Sequence, residues 1–173
     1  MIQTSLFLER LDTPTGPMRL VTDADGCVRV LDWDDGDRSL QRLLQKHYGA
    51  GAWPLAAPSR PTAARRALLA YFGGDLHAID SLPASGHGTP FQRAVWQELR
   101  RIPAGQTLSY GALAQRIARP RAVRAVGLAN GANPIAIVVP CHRVIGADRT
   151  LTGYGGGIER KRWLLTHEHA SYL

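Results

Sequence analysis

A run of apolar residues that ends at a single cysteine constrains this chain more than any other feature. Residues 135–144 read Ile-Ala-Ile-Val-Val-Pro-Cys-His-Arg-Val. The β-branched residues predict a strand that enters the interior, and Pro140 should end it because proline has no backbone N–H to donate. Cys141 would then lie at the mouth of a pocket, on a rigid support that suits a nucleophile. The alternative is an inert buried thiol, since free cysteines are often buried.

The charges are unevenly distributed along the sequence. Of the net charge of +7, residues 1–90 contribute −1 and residues 91–173 contribute +8, and eleven of the twelve cations in the second part are arginine. A basic, arginine-rich half predicts a polyanion partner, with nucleic acid as the leading candidate. The alternative is a basic surface that serves solubility alone.

Length and composition are those of an ordinary globular protein, either one domain or two small ones. No apolar stretch reaches the ~20 residues that cross a bilayer, and the N-terminus lacks the pattern of a secretory signal, so we expect a cytoplasmic protein without membrane contact. Two cysteines, Cys27 and Cys141, are too few for a metal or disulfide framework. Cys27 follows the turn signal Asp25-Gly26 and is interpreted as structural.

Residues 1–84 predict an N-terminal α/β domain with a small antiparallel sheet. Strand or helix patterns occur at 6–11, 16–22, 27–33, 39–48 and 62–72. We interpret the acidic residues that follow the third strand as a solvated loop, because their spacing fits no calcium site; they are Asp32, Asp34, Asp35 and Asp37. Residues 85–90, rich in Pro, Gly and Ser with their neighbours, predict a linker to a second domain at 91–173.

The second domain should be mainly helical and contain a helix-turn-helix motif. Helical spacing with start or stop signals occurs at 90–102, 110–117, 121–129 and 158–169. In the third of these helices, Val123 and Val126 should be buried, with Arg121 and Arg124 on the opposite face among small residues such as Ala125. Such a helix lets its backbone approach a partner closely. An ordinary surface helix is the alternative.

Four polar residues should reach the pocket around Cys141, namely His142, Glu168, Asn133 and Tyr110. A thiol of ordinary pKa is mostly protonated at neutral pH. An imidazole can take its proton, and a carboxylate behind the imidazole stabilises the resulting cation, so a His–Glu pair should lower the pKa of the thiol. Because neighbours on an extended chain point to opposite sides, we expect a water molecule to connect Cys141 and His142.

The pattern of these residues resembles the O6-alkylguanine-DNA alkyltransferases, also called methylated-DNA–protein-cysteine methyltransferases. The matching segments, in order and spacing over 89–168, are Ser109-Tyr110, Ala125-Val126-Gly127, Asn133-Pro134, Pro140-Cys-His-Arg-Val144, and Trp163-Leu-Leu with His167-Glu168. The N-terminal half resembles the free-standing bacterial members. The resemblance implies an α+β protein, with a ribonuclease-H-like first domain and a winged-helix-like second domain that carries the helix-turn-helix motif and the cysteine.

The resemblance also implies a reaction. The protein would flip O6-alkylguanine, and also O4-alkylthymine, out of duplex DNA and transfer the alkyl group irreversibly to Cys141. This is DNA repair by a single-turnover enzyme that needs neither cofactor nor metal. The implied partner is double-stranded DNA contacted in its minor groove, bound by a protein that is monomeric in solution and able to assemble cooperatively on DNA.

Residue roles carry over from the family by position. Cys141 would accept the alkyl group, His142 would be the water-linked base, Glu168 would orient it and Asn133 would support the site. Tyr110 would donate towards guanine N3, and the carbonyls of Cys141 and Val144 would accept from the guanine amino group. The N–H of Gly155 would face the oxygen, and Tyr154 would complete the substrate pocket. Arg124 would fill the gap left in the base stack, with Arg121, Ala125 and Ser109 also contacting DNA.

Two positions depart from the family pattern. Gly155 stands where relatives often have serine or alanine, which predicts a roomier pocket and tolerance of alkyl groups larger than methyl. His169 replaces the usual glycine after Glu168, so the resemblance does not fix the residue at which the last helix ends. Three other readings are a zinc site formed by Cys141, His142, His167 and His169, a non-catalytic binder or regulator of alkylated DNA, and a cysteine hydrolase. The zinc site is disfavoured because two histidines in His-x-His on one helix diverge.

Overall fold

A computed structural model describes residues 5–35, 40–51 and 53–173. By its internal contacts the chain divides into two compact units, Met1–His87 and Gly88–Leu173. Asp37 of the predicted acidic loop and Ser39 of the predicted first helix lie outside the described residues. No helix in the described part is both long and apolar enough to span a membrane.

The first unit contains a four-stranded sheet in the order β3-β2-β1-β4. Its strands are β1 (Leu6–Leu11), β2 (Met18–Asp23), β3 (Val28–Trp33) and β4 (Leu55–Ala56). The three predicted strands pair antiparallel as expected. The sheet is nevertheless mixed, because the unpredicted β4 runs parallel to β1. Two residues are too few to show an alternating pattern, and parallel pairing requires the crossover that the intervening helix supplies.

Two helices complete the first unit, α1 (Leu40–Tyr48) and α2 (Ala63–Phe72). Thr62 begins α2, because its hydroxyl accepts a hydrogen bond from the N–H of Arg65 at 3.2 Å. The apolar side of α1 packs with the sheet around Leu44, which is fully buried with Val21 and Val30. These elements confirm the predicted α/β character of the first unit.

The second unit is mainly helical, with α3 (Pro90–Leu99), α4 (Tyr110–Arg116), α5 (Val123–Gly131) and α6 (Ile158–His167). Thr89 and Gln92 form a reciprocal capping box at the start of α3, and Ser109 caps α4. Two short strands that were not predicted, β5 (Leu108–Ser109) and β6 (Val144–Ile145), pair in parallel. They fix the start of α4 beside the segment that follows the cysteine.

The predicted strand at 135–139 is wrong. These residues are all buried, but they form a turn in which the N–H of Val139 donates to the carbonyl of Ile135 at 3.0 Å. Ile137 has a φ of 69°, which a β-branched residue rarely adopts. Asn133 makes the turn feasible, because its side chain accepts from the N–H of Ile135 at 3.0 Å and donates to the carbonyl of Val139 at 2.7 Å. The apolar side chains of this segment are thus buried without forming a strand of a sheet.

The predicted faces of the helix at 121–129 also need correction. The helix α5 begins at Val123, and Val123 is 39% exposed, whereas the inward positions are Val126, Ala129 and Asn130. The preceding turn, closed by the N–H of Ala122 on the carbonyl of Arg119, delays the start of the helix and changes which residues face inward. In α6, Leu164 and Leu165 are buried as predicted, but Trp163 is only half-buried.

Candidate active site

Cys141 begins a single 3-10 turn, Cys141–Arg143, and its side chain is almost wholly buried. The amide of Asn133 donates to its sulfur at 3.1 Å. Burial raises the pKa of the thiol, while Asn133, Tyr154 and the charge of Lys161 oppose that rise. The expected lowering of this pKa by a His–Glu pair is therefore wrong. The thiol is protonated at rest and needs a base.

His142 and Glu168 form a buried pair, with 2.9 Å between Nε2 and Oε1. Burial alone would raise the pKa of Glu168, but His142 and Arg143 together hold it well below its usual range, so the group is a carboxylate. A carboxylate only accepts hydrogen bonds, and Nε2 must therefore carry the proton. Burial lowers the pKa of His142, which leaves the imidazole neutral. Its Nδ1 is buried and has no hydrogen-bond partner among the described residues, so it is a free lone pair.

Arg143 is a third member of this group that the sequence analysis missed. It is 3% exposed, and it donates from Nε to Oε2 of Glu168 at 2.9 Å and from Nη2 to Oε1 at 2.7 Å. Its Nη1 donates to the carbonyl of Ile102, just beyond α3. Glu168 is thus fixed in position by a bidentate guanidinium as well as by His142. The sequence offered one signal for this role, because Arg143 directly follows His142, which was expected to reach the pocket around Cys141.

The carbonyls of Cys141 and Val144, expected to receive the guanine amino group, already accept hydrogen bonds. Asn130 donates to the carbonyl of Cys141 at 3.3 Å, and Lys161 donates to that of Val144 at 2.6 Å. A carbonyl oxygen has two lone pairs, and both of those on Cys141 are used, because it also accepts from the backbone N–H of Val144. The side chains of Asn130 and Lys161 are both buried, and neither contact was foreseen from the sequence.

Tyr110 and the glycine-rich segment 152–157 lie together. The hydroxyl of Thr152 donates to that of Tyr110 at 3.1 Å. The Tyr110 ring packs on α5, where a Cβ added to Gly127 would lie 3.8 Å from it. Tyr154 is half-buried next to the thiol, and Gly155 is exposed. The structure therefore places Tyr154 beside Cys141 and joins Tyr110 to the glycine-rich segment.

Three of the four predicted DNA-binding residues are exposed, namely Arg121, Arg124 and Ala125. The fourth, Ser109, is half-buried and its hydroxyl is occupied as the cap of α4, where it accepts from Ala112 at 3.1 Å. Leu128, on the same helix as Arg124, is 73% exposed. Within the described residues, no group of three His, Cys, Asp or Glu side chains is arranged to hold a metal ion.

Comparison with known proteins of similar sequence shows to which family this chain belongs. The chain is 47% identical over 163 residues to the methylated-DNA–protein-cysteine methyltransferase of Shigella flexneri, covering 94% of this chain and 95% of that one. It is 52% identical over 170 residues to the protein of the same name from Haemophilus influenzae, covering 98% and 90%. The chain belongs to the methylated-DNA–protein-cysteine methyltransferase family.

Other comparisons agree with membership of this methyltransferase family. The family model for the DNA binding domain of 6-O-methylguanine DNA methyltransferase matches residues 90–170. The structure of the Mycobacterium tuberculosis O6-methylguanine methyltransferase is 42% identical with a TM-score of 0.79, covering 95% of this chain and 93% of that one. The Mycobacterium tuberculosis OGT in complex with DNA is also 42% identical, with a TM-score of 0.77 and coverage of 95% and 94%. These likenesses confirm the resemblance and the α+β class expected from the sequence.

Proposed function

We propose that this protein repairs DNA by moving an alkyl group from O6 of guanine to the sulfur of Cys141. The observation that carries the proposal is the buried series Cys141, His142, Glu168 and Arg143, in a member of the methyltransferase family. It combines a thiol, a neutral imidazole with a free lone pair, and a carboxylate locked in the ionised state. All the residues proposed to take part in the chemistry lie in the proposed second domain, 91–173.

The arrangement supports a balanced single displacement. His142 takes the thiol proton on Nδ1, through a water molecule, and Glu168 stabilises the imidazolium. The thiolate attacks the alkyl carbon, so that an S–C bond forms as the O6–C bond breaks with its electron pair left on guanine. The guanine then takes up one proton. The products are guanine and S-alkyl Cys141, and the thioether has no leaving group that water could displace, so each molecule reacts once.

Four residues are proposed to hold the flipped base. Tyr110 would donate a hydrogen bond towards N3 and reduce the charge on the departing guanine, and the fixed carbonyl of Val144 would accept from its amino group. Gly155 would offer its N–H to the oxygen, and Tyr154 would line the pocket. Support comes from the hydrogen bond of Thr152 to Tyr110 and from that of Lys161 to Val144, because both restrain the group expected to meet the base.

The DNA-binding surface is proposed to be the exposed side of α5 with Arg121, Arg124 and Ala125. Small residues let a helix enter the narrow minor groove, and Arg124 would occupy the space of the extruded nucleotide. The net charge of +8 on residues 91–173 supports phosphate contact. We also propose reaction with O4-alkylthymine, a monomeric protein in solution that assembles cooperatively on DNA, and a cytoplasmic location, as the sequence indicated.

The test is to incubate the protein with a duplex that contains one O6-methylguanine and then to map the mass of each cysteine peptide. We expect one methyl group per protein on Cys141, none on Cys27, and loss of transfer in Cys141→Ser but not in Cys27→Ser. DNA binding without any mass gain would favour the non-catalytic binder. Repeated turnover without a stable adduct would favour a hydrolase. Methyl transfer that persists in Cys141→Ser would refute the proposal.

A further inference from the structure

Lys161 is a wholly buried lysine in a part of the chain that otherwise uses arginine for its cations. The chain contains two lysines, Lys46 and Lys161. Lys46 is exposed, whereas Lys161 is 0% exposed. Burying an ammonium group is costly unless specific contacts compensate for the lost water. The role proposed for the thiol, imidazole and carboxylate does not account for this burial.

The contacts of Lys161 join three segments that surround the thiol. From the first turns of α6, its Nζ donates to the carbonyl of Val144 at 2.6 Å and to the carbonyl of Thr152 at 3.3 Å. It also lies 5.9 Å from the centre of the Tyr154 ring. Val144 begins the segment after the 3-10 turn, and Thr152 begins the glycine-rich segment. One ammonium group therefore connects both segments to α6.

Lys161 also interacts electrostatically with the thiol. Burial lowers the pKa of Lys161 to about 8, and the charge of ionised Cys141 acts in the opposite direction. The same interaction lowers the pKa of Cys141. The other titratable groups around the pair are Tyr154, which acts on Cys141, and His142, whose pKa Lys161 lowers. Arg143 is held by Glu168 and therefore does not take the place of Lys161.

We propose that Lys161 is a positioning residue for alkyl transfer, whose ammonium group fixes the Val144 carbonyl and the start of the glycine-rich segment and stabilises the thiolate of Cys141. This inference rests on the proposed function, since it assumes that Cys141 is the nucleophile. A lysine suits the task better than an arginine, because a compact ammonium fits between two carbonyls and a thiolate, while a planar guanidinium is larger. The thiolate formed during the reaction then meets a cation already in place.

The interaction can be tested at pH 7, where Lys161 is charged and the rate of thiol alkylation follows the small thiolate fraction. The test has two arms. Lys161→Met should slow alkylation of Cys141 by iodoacetamide about tenfold, as expected for the loss of a neighbouring opposite charge. Cys27 in the same protein is the internal reference, and its alkylation rate should not change.

The second arm leaves Lys161 in place and supplies an anion at position 141. In protein labelled with 13C at lysine Cε, two signals are expected, and Cys141→Asp should move the titration of Lys161 to higher pH than in Cys141→Ser, while that of Lys46 is the same in both. This arm decides the question even where Lys161→Met does not fold. An alkylation rate of Cys141 that is unchanged in folded Lys161→Met, or a Lys161 titration that is identical in Cys141→Asp and Cys141→Ser, would overturn the electrostatic role.

Kinetics separate positioning from general loosening of the fold. With free O6-benzylguanine as the probe, Lys161→Met should react about tenfold more slowly at pH 7 and approach the unaltered protein at pH 10, where Lys161 itself is neutral. Lys161→Arg should recover part of the loss because it keeps the charge. A loss of the same size at every pH would contradict the proposal. Whether the benzyl group reaches Cys141 is read separately from peptide masses, so a failure of the proposed function would appear as an adduct elsewhere.

Discussion

Replacement of Arg143 by methionine tests the least expected feature of the active site. Methionine fills much of the same volume but removes two charge-assisted hydrogen bonds to Glu168, of 2.9 and 2.7 Å, and one to the carbonyl of Ile102. Glu168 is 1% exposed, so its charge would remain buried beside His142 without the guanidinium. Removing one member of a buried ion pair typically costs about 3–5 kcal/mol. We expect the free energy of unfolding of Arg143→Met to be lower than that of the unaltered protein by this amount.

The loss should depend on pH, because His142 can replace the missing cation. In the unaltered protein the pKa of His142 is lowered by burial, so stability falls as the pH drops below the unfolded value of about 6.5. In Arg143→Met the imidazolium faces a carboxylate that has lost its guanidinium partner, which raises the pKa of His142. A raised pKa contributes stability that is present below about pH 6.5 and lost as the pH rises. The deficit should therefore be smaller at pH 5.5 than at pH 8.

Urea denaturation at both pH values measures this difference directly. The matched control is Arg162→Met, which breaks an ion pair with Glu159 on the surface of α6, where the two side chains are 48% and 85% exposed. Exposed pairs contribute little to stability, because water screens both charges. The reasoning fails if Arg143→Met costs no more than Arg162→Met, or if its deficit is the same at pH 5.5 and pH 8.

Three further predictions concern DNA, the pocket and the end of α6. Arg124→Ala should slow repair of duplex DNA much more than reaction with free alkylguanine, with Arg162→Ala as the control; equal losses on both substrates would contradict the role in base extrusion. O6-butylguanine in duplex DNA should be repaired measurably if glycine at position 155 enlarges the pocket as the sequence predicts, and transfer at background level while methyl transfer is fast would exclude this. His169→Gly should stabilise the protein by about 1 kcal/mol in thermal unfolding, because His169 has a φ of 58° in a helix-ending turn that favours glycine; no gain would show that this backbone is unstrained.

Local signals predicted most of the helices correctly because the residues that begin them act on their own neighbours. Thr62, Thr89 and Ser109 each accept a backbone hydrogen bond three residues ahead, so the start of a helix can be read from the sequence nearby. The same applies to the burial of Glu168, which follows from its distance along α6 from Leu164. These features depend on periodicity and capping alone.

Features that depend on distant partners were not predictable in the same way. Whether residues 135–139 form a strand depends on the side chain of Asn133, whose amide supplies hydrogen bonds that a neighbouring strand would otherwise have supplied. The partner of Arg143 is 25 residues away in the sequence. Lys161 is buried because two carbonyls from other segments meet its ammonium group. A single sequence gives the type of each residue, but it does not show which distant group forms a hydrogen bond or an ion pair with that residue.

The omission of Arg143 has a physical cause in the backbone conformation of Cys141–Arg143. On an extended strand, His142 and Arg143 would point to opposite faces, and a single carboxylate could not contact both. In a 3-10 turn, successive residues are separated by about a third of a turn, so two neighbours can converge on one group. Here both contact Oε1 of Glu168, at 2.9 and 2.7 Å. The backbone conformation at Cys141–Arg143 therefore decides the charge balance of the site: Arg143 compensates Glu168 before the reaction, and His142 is left neutral to accept the thiol proton.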